Sequence, residues 1–196
     1  ILEHFATDGW RALKQQFRAG QLNLRQYQEA AFRTTGATRQ ALQQVVVTKA
    51  NTRPHFHDLY RYCQERDIPL AIVTHGLDFY VEALLRKEGL EGIPYYAVGT
   101  RFGPQGIQYT YSYTDGQCSG DWGNCKCAVL QLYRRQGYGI AYVGDGRSDF
   151  CPAGTADLVF ARSHLLEHCR KNGIPCVEFQ DFGDVLRVLK DREVRA

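Results

Sequence analysis

Apolar positions along the first fifty residues recur at helical spacing. Trp10, Leu13 and Phe17 share one face, and Gly20 ends that run. Asn23 is placed to cap a second helix carrying Leu24, Tyr27 and Ala31, and Thr38 a third from Ala41 to Val45. After Asn51 the pattern changes. Pro54 opens a helix with Phe56, Leu59, Tyr60 and Cys63 on one face. Asp67-Ile68-Pro69 then turns into the unbroken apolar run Leu70–Val73, the pattern of a buried parallel strand. A helix follows with Leu77, Val81, Leu84 and Leu85 inward and Gly89 as its stop. Tyr95–Thr100 and Ile107–Tyr113 predict a hairpin around Gly103-Pro104-Gln105-Gly106. Cys127–Arg135 reads as helix, Ile140–Val143 and Leu158–Phe160 as buried strands. Phe182, Val185, Leu186 and Leu189 predict a last amphipathic helix capped by Asp181.

Strands alternating with helices predict an α/β fold, a doubly wound parallel sheet with ligands at the carboxyl ends of its strands. The expected organisation is a helical module at residues 1–50 and an α/β core at residues 51–196. No apolar run is long enough to span a membrane as a helix, and no secretory leader pattern opens the sequence. The seven cysteines, an odd number, fit a reducing cytoplasm. The net charge of +3 comes from scattered basic residues, so the partner expected is a small anionic metabolite, not nucleic acid. Cys118, Cys125 and Cys127 cluster, but their spacing is not the paired form of zinc ribbons, and ordinary reduced thiols are the favoured reading.

The chemistry concentrates in three places. Asp145 and Asp149 follow the strand Ile140–Val143, with Gly144 and Gly146 allowing a tight turn. Two carboxylates beside a phosphate need a cation between them, and Mg2+ bridges carboxylate and phosphate oxygens; a solvated turn with a helix cap is the alternative. Thr74-His75-Gly76 follows the strand Leu70–Val73 and precedes a helix, where a hydroxyl and backbone N–H groups make an anion site; a simple helix cap is the alternative, and His75 is either a phosphate or acid–base group or a surface residue. Lys126 opens a helix, where the dipole disfavours a cation, so an anionic ligand or carboxylate partner is expected, with a solvated lysine as the alternative.

Thr74, Lys126 and the pair Asp145/Asp149 resemble, in order, motifs two, three and four of the haloacid dehalogenase superfamily. Gly144–Pro152 and Ala156–Arg162 resemble its phosphoserine-phosphatase-like branch. Two subgroups are nearest: a methionine-salvage phosphatase acting on 2-hydroxy-3-keto-5-methylthiopentenyl-1-phosphate, and phosphoethanolamine/phosphocholine phosphatases. The resemblance implies an Mg2+-dependent phosphomonoester hydrolase with a small helical cap and an aspartyl-phosphate intermediate. It implies Asp145 as metal ligand, Asp149 as second metal-site carboxylate acting through water or by holding Lys126, Lys126 as catalytic cation, and Thr74, His75 and Gly76 as phosphate contacts.

Motif two departs from the branch's Ser-Gly-Gly, and no Asp-x-Asp-x-Thr occurs anywhere in the 196 residues. The chain has no Met and begins at Ile1, in what reads as a helix already in progress. The expectation is therefore that the nucleophile and general acid, on the central first strand, lie upstream of Ile1. The chain by itself is then expected to be inactive, a weak binder of Mg2+ and poorly stable. Two other readings are a naturally inactive binding protein of the same fold and a phosphotransferase.

Overall fold

A computed structural model describes residues 1–114 and 123–193. Its contacts divide the chain into two compact units, residues 1–51 with 71–125 and residues 52–70 with 126–196.

The first unit opens with helices α1 (Leu2–Phe5), α2 (Gly9–Arg18), α3 (Leu24–Arg33) and α4 (Arg39–Lys49). The predicted caps form. The Asn23 side chain accepts from the N–H of Gln26, whose own side chain accepts from the N–H of Asn23, and the Thr38 hydroxyl accepts from Ala41 N–H. Strand β1 (Ile72–Leu77), helix α6 (Asp78–Glu88) and strand β2 (Tyr95–Gly103) form a parallel crossover. Strand β3 (Gly106–Thr110) pairs antiparallel to β2, as the hairpin pattern predicted. Gly89 stops α6 in the left-handed conformation at φ +68°, open to glycine at little cost. Phe32, Leu42, Leu77, Phe79 and Val98 make the core of this unit, drawn from α3, α4, α6 and two strands.

The second unit holds α5 (Phe56–Glu65), α7 (Lys126–Arg135), β4 (Ala141–Gly144), α8 (Phe150–Ala153), β5 (Leu158–Ala161), α9 (Ser163–Asn172), β6 (Val177–Glu178) and α10 (Phe182–Glu193). Its strands form a parallel sheet in the order β4-β5-β6. Side chains alternate across this sheet. Tyr142, Val159 and Ala161 join one cluster with Leu130 of α7 and Leu165, Leu166 and Cys169 of α9. Phe160 joins the other, with Leu59, Tyr62 and Cys63 of α5 and Val185 of α10. Helices on both faces explain why β5 is apolar at consecutive positions.

One predicted boundary is corrected. The strand expected at Leu70–Val73 runs instead over Ile72–Leu77, so Thr74-His75-Gly76 lies inside β1, not after it. The ladder to β2 pairs Val73 with Tyr96 and resumes at Leu77 with Val98, so two extra β1 residues bulge between these pairs. Helix α8, helix α9 and β6 are additional elements that the apolar pattern did not predict.

Candidate active site

The acidic turn is built from the end of β4. Tyr142 points to the α7 face of the sheet because strand side chains alternate. Gly144 ends the strand, and a short 3-10 turn, Arg147–Asp149, folds the chain back. This return brings the Asp149 side chain so close to Gly144 that a Cβ there would lie 2.8 Å from Asp149 Cγ. Only glycine admits that approach.

Asp149 is 4% exposed, and both its oxygens are engaged. Oδ1 accepts from Lys126 Nζ at 2.6 Å and from the Tyr142 hydroxyl at 2.6 Å. Oδ2 accepts from the N–H groups of Asp145 at 3.0 Å and Gly146 at 2.8 Å. Burial alone would raise the Asp149 carboxyl. The charge and hydrogen bond of Lys126, the Tyr142 hydroxyl and the Gly146 N–H outweigh it, and the group is held below its ordinary range. The Tyr142 phenol is pushed up, first by burial and then by the adjacent carboxylate, so it remains a donor.

Lys126 is the first residue of α7, the position where a cation is disfavoured by the helix. Its buried partner offsets that cost. Sequence reasoning expected Asp149 to hold Lys126 or the metal, and the geometry brings Lys126 and Asp149 together. It also shows that the carboxylate's four acceptor positions are filled. Asp145, by contrast, is exposed, and its carboxylate makes no hydrogen bond or ion pair among the described residues. Its carboxylate therefore fits a Mg2+ site, since that ion commonly takes one or two protein carboxylates and completes its shell with phosphate oxygens and water. Among the described residues no group of three or more His, Cys, Asp or Glu side chains forms a ready-made metal cluster.

Thr74, His75 and Gly76 belong to the other unit. The Thr74 hydroxyl accepts from Gly76 N–H at 2.9 Å, closing a local turn inside the bulge. His75 is 7% exposed, which removes it from the surface. Gly76 is required by packing, because a Cβ there would meet the Tyr80 hydroxyl oxygen at 2.1 Å. The expectation that this segment sits at a free helix N-terminus is corrected. Helix α6 begins four residues after Thr74, at Asp78, and that carboxylate already occupies its N-terminus. It accepts from Phe79 N–H at 2.6 Å, Thr100 N–H at 3.0 Å, the Thr100 hydroxyl and Arg39. Arg39 in turn binds Glu82 at 2.5 Å. An internal carboxylate thus stands where the sequence suggested an external anion.

Tyr142 is the site residue that sequence reasoning missed. Its signal was positional: a Tyr two residues before Gly144, on the strand face shared with α7. Cys118 of the cysteine cluster lies outside the described residues; Cys125 is buried and Cys127 partly so.

The profile of the haloacid dehalogenase-like hydrolases matches residues 3–153. The chain belongs to the haloacid dehalogenase-like hydrolase family. It is 30% identical over 192 residues to a 2-hydroxy-3-keto-5-methylthiopentenyl-1-phosphate phosphatase of Brevibacillus brevis, an alignment covering 97% of this chain and 86% of that protein. It is 33% identical over 201 residues to the phosphatase of the same name from Geobacillus kaustophilus, covering 99% and 89%. The crystal structure of a probable phosphoserine phosphatase from Vibrio cholerae superposes with a TM-score of 0.71 at 19% identity. That match covers 92% of this chain, which spans only 55% of the solved one. The haloacid dehalogenase-like fold of the chain is thus shown by both sequence and structure.

Proposed function

We propose that the chain carries the phosphate-and-metal side of an Mg2+-dependent phosphomonoester hydrolase acting on a small metabolite phosphate in the cytoplasm. The observation that supports this best is the division of labour at the turn. Asp149 is buried and saturated, whereas Asp145 is exposed and its carboxylate is uncommitted among the described residues. A carboxylate locked by Lys126, Tyr142 and two backbone N–H groups is a positioning group. It fixes the lysine ammonium in place, and a fixed cation stabilises charge on a transferring phosphoryl group.

In this reading Asp145 holds Mg2+, with Asp149 behind it. The ion, when bound, neutralises phosphate oxygens and polarises the phosphorus. Lys126 donates to a phosphate oxygen. The attacking carboxylate and the general acid come from an Asp-x-Asp strand outside these 196 residues, which contain no such motif. The aspartyl-phosphate so formed is then opened by water. An open strand edge favours such a partner: β4 pairs only with β5 among the described residues. Parallel strands with an open ladder edge leave backbone donors and acceptors to be satisfied. Residues 1–50 act as the cap module that selects the substrate.

The relatives' names favour 2-hydroxy-3-keto-5-methylthiopentenyl-1-phosphate as substrate, an enol phosphate of methionine salvage. Phosphoserine and phosphocholine are the competing substrates. The missing Asp-x-Asp motif favours a second reading, an inactive binding protein of the same fold. One experiment separates them. Phosphate release from a panel of esters is measured, with Mg2+ and with chelator, for this chain and for a version extended by the genomic sequence upstream of Ile1. Activity confined to the extended form, abolished by chelator and highest on the enol phosphate, is expected. Equal activity of both forms overturns the external nucleophile. Inactivity of both, with phosphate esters still bound, favours the binding protein.

A further inference from the structure

Two thiols flank the Lys126–Asp149 pair, and phosphoryl transfer uses neither. Cys127 follows Lys126 in α7, and Cys151 stands two residues beyond Asp149 in α8. Their sulfur atoms are 3.2 Å apart although 24 residues separate them in sequence. A disulfide has S–S of about 2.05 Å, so bond formation needs an approach of only about 1.2 Å. Cys151 is exposed and Cys127 partly so, which opens the pair to a small oxidant from solvent. Of the other described thiols, Cys176 is partly buried and Cys63, Cys125 and Cys169 are buried. Cys169 lies against Cys176, and burial with that neighbour pushes its thiol up to about 11, which disfavours the reactive thiolate.

We propose that Cys127 and Cys151 are a modification site, closing into a reversible disulfide under hydrogen peroxide. The step balances in two stages. The thiolate of one cysteine attacks a peroxide oxygen, the O–O bond breaks, and a sulfenic acid forms with loss of hydroxide, which takes up the thiol proton as water. The second thiol then attacks the sulfenic sulfur, the S–S bond forms, and the hydroxyl leaves as a second water. Two thiols are oxidised by two electrons and one peroxide is reduced. A small dithiol reverses the bond by exchange. Disulfides of this kind in reducing compartments are transient, and reactive thiols there act as redox sensors. The clasp ties the first turn of α7 to the segment after Asp149, the two segments that present Lys126 and its carboxylate.

Oxidation of this pair is independent of catalysis, and peptide mass reads it in place of turnover. The full chain is treated with hydrogen peroxide, remaining thiols are alkylated, and trypsin fragments are mapped without reduction. Cleavage after Lys126, Arg134, Arg147 and Arg162 isolates Cys127 and Cys151 on separate peptides, 127–134 and 148–162, each with a single cysteine. The expected result is a linked 127–134/148–162 pair, lighter by two hydrogens than the two peptides together and separated by dithiothreitol. Cys151→Ser is expected to abolish it and leave Cys127 as sulfenic acid, trapped by dimedone. Recovery of both peptides unlinked from the wild-type chain, under peroxide that oxidises other cysteines, overturns the proposal. So does Cys127 joined to Cys118 in place of Cys151.

Discussion

Replacing Lys126 by Met tests whether the buried pair is built as described. The substitution keeps an unbranched apolar stem and removes only the charge. The side chains of Lys126 and Asp149 are 12% and 6% exposed, so water cannot replace the lost ammonium well. Breaking a buried pair by removing one partner costs about 3–5 kcal/mol, because a charge is left uncompensated. Here Asp149 retains the Tyr142 hydroxyl and the N–H groups of Asp145 and Gly146. These place the expected loss at the lower end, about 3 kcal/mol, or a factor of roughly 10² in the unfolding equilibrium.

The pH dependence carries the sharper test. In the native chain Asp149 titrates below its ordinary range, so its stabilising contribution is present above the unfolded carboxylate value of about 3.9. That contribution is lost as pH falls through the depressed folded value. Lys126→Met removes the chief opposing charge while burial remains, and the folded value rises. A raised carboxyl favours the protonated form, so the variant's deficit is greatest near neutral pH and shrinks as acid neutralises the orphan charge. Urea unfolding followed by circular dichroism at about pH 7.5 and pH 4.5 reads both effects. A deficit below about 1 kcal/mol at neutral pH, the level of an exposed ion pair, refutes the buried pair. An equal deficit at both pH values refutes the electrostatic cause.

The other substitutions separate structure from chemistry. Gly144→Ala places a Cβ 2.9 Å from Asp149 Oδ2, so the carboxylate must shift; a loss of about 1–3 kcal/mol is expected by the same urea titration. Asp145→Asn alters an exposed side chain without a partner among the described residues, so stability is expected to stay within about 0.5 kcal/mol. Its Mg2+ affinity, measured by calorimetry on the extended chain, is expected to fall at least about tenfold. Gly76→Ala drives a methyl into the Tyr80 ring, with the hydroxyl oxygen at 2.1 Å, and is expected to cost about 2 kcal/mol or more in thermal unfolding.

Periodicity made most of the helices legible because their apolar stripes are long and their caps are side chains: Asn23, Thr38, and Asp181, which accepts from Gly183 N–H at 2.8 Å. The short elements were opaque. Helix α8 is four residues long and β6 two, too short to display a period. The β1 boundary failed for a physical reason. Thr74-His75-Gly76 has the composition of a polar loop, but the bulge against β2 lets those residues continue the strand while His75 and Gly76 are buried. The helix N-terminus after them was misjudged because Asp78 reads as an ordinary first-turn acid. Its binding of Thr100 and Arg39, distant in sequence, is a tertiary fact. The pairing of Lys126 with an acidic turn residue was legible from motif order, whereas Tyr142 was not, since a strand tyrosine is usually core.

The turn also shows why a buried charge pair is informative about function here and not merely tolerated. Ion pairs of this kind are often no more stabilising than apolar residues of the same volume, so stability alone is weak reason to place one in a core. The pair stands at the carboxyl end of β4, where parallel sheets present ligands. Its geometry leaves capacity for one. A lysine ammonium has three N–H groups, and among the described residues Lys126 spends one on Asp149. Asp149 has no acceptor position left, whereas among the described residues Lys126 keeps donors to give and Asp145 keeps a free carboxylate. A cation with spare donors beside a carboxylate with spare acceptors suits a metal-bridged phosphate better than it suits a finished core.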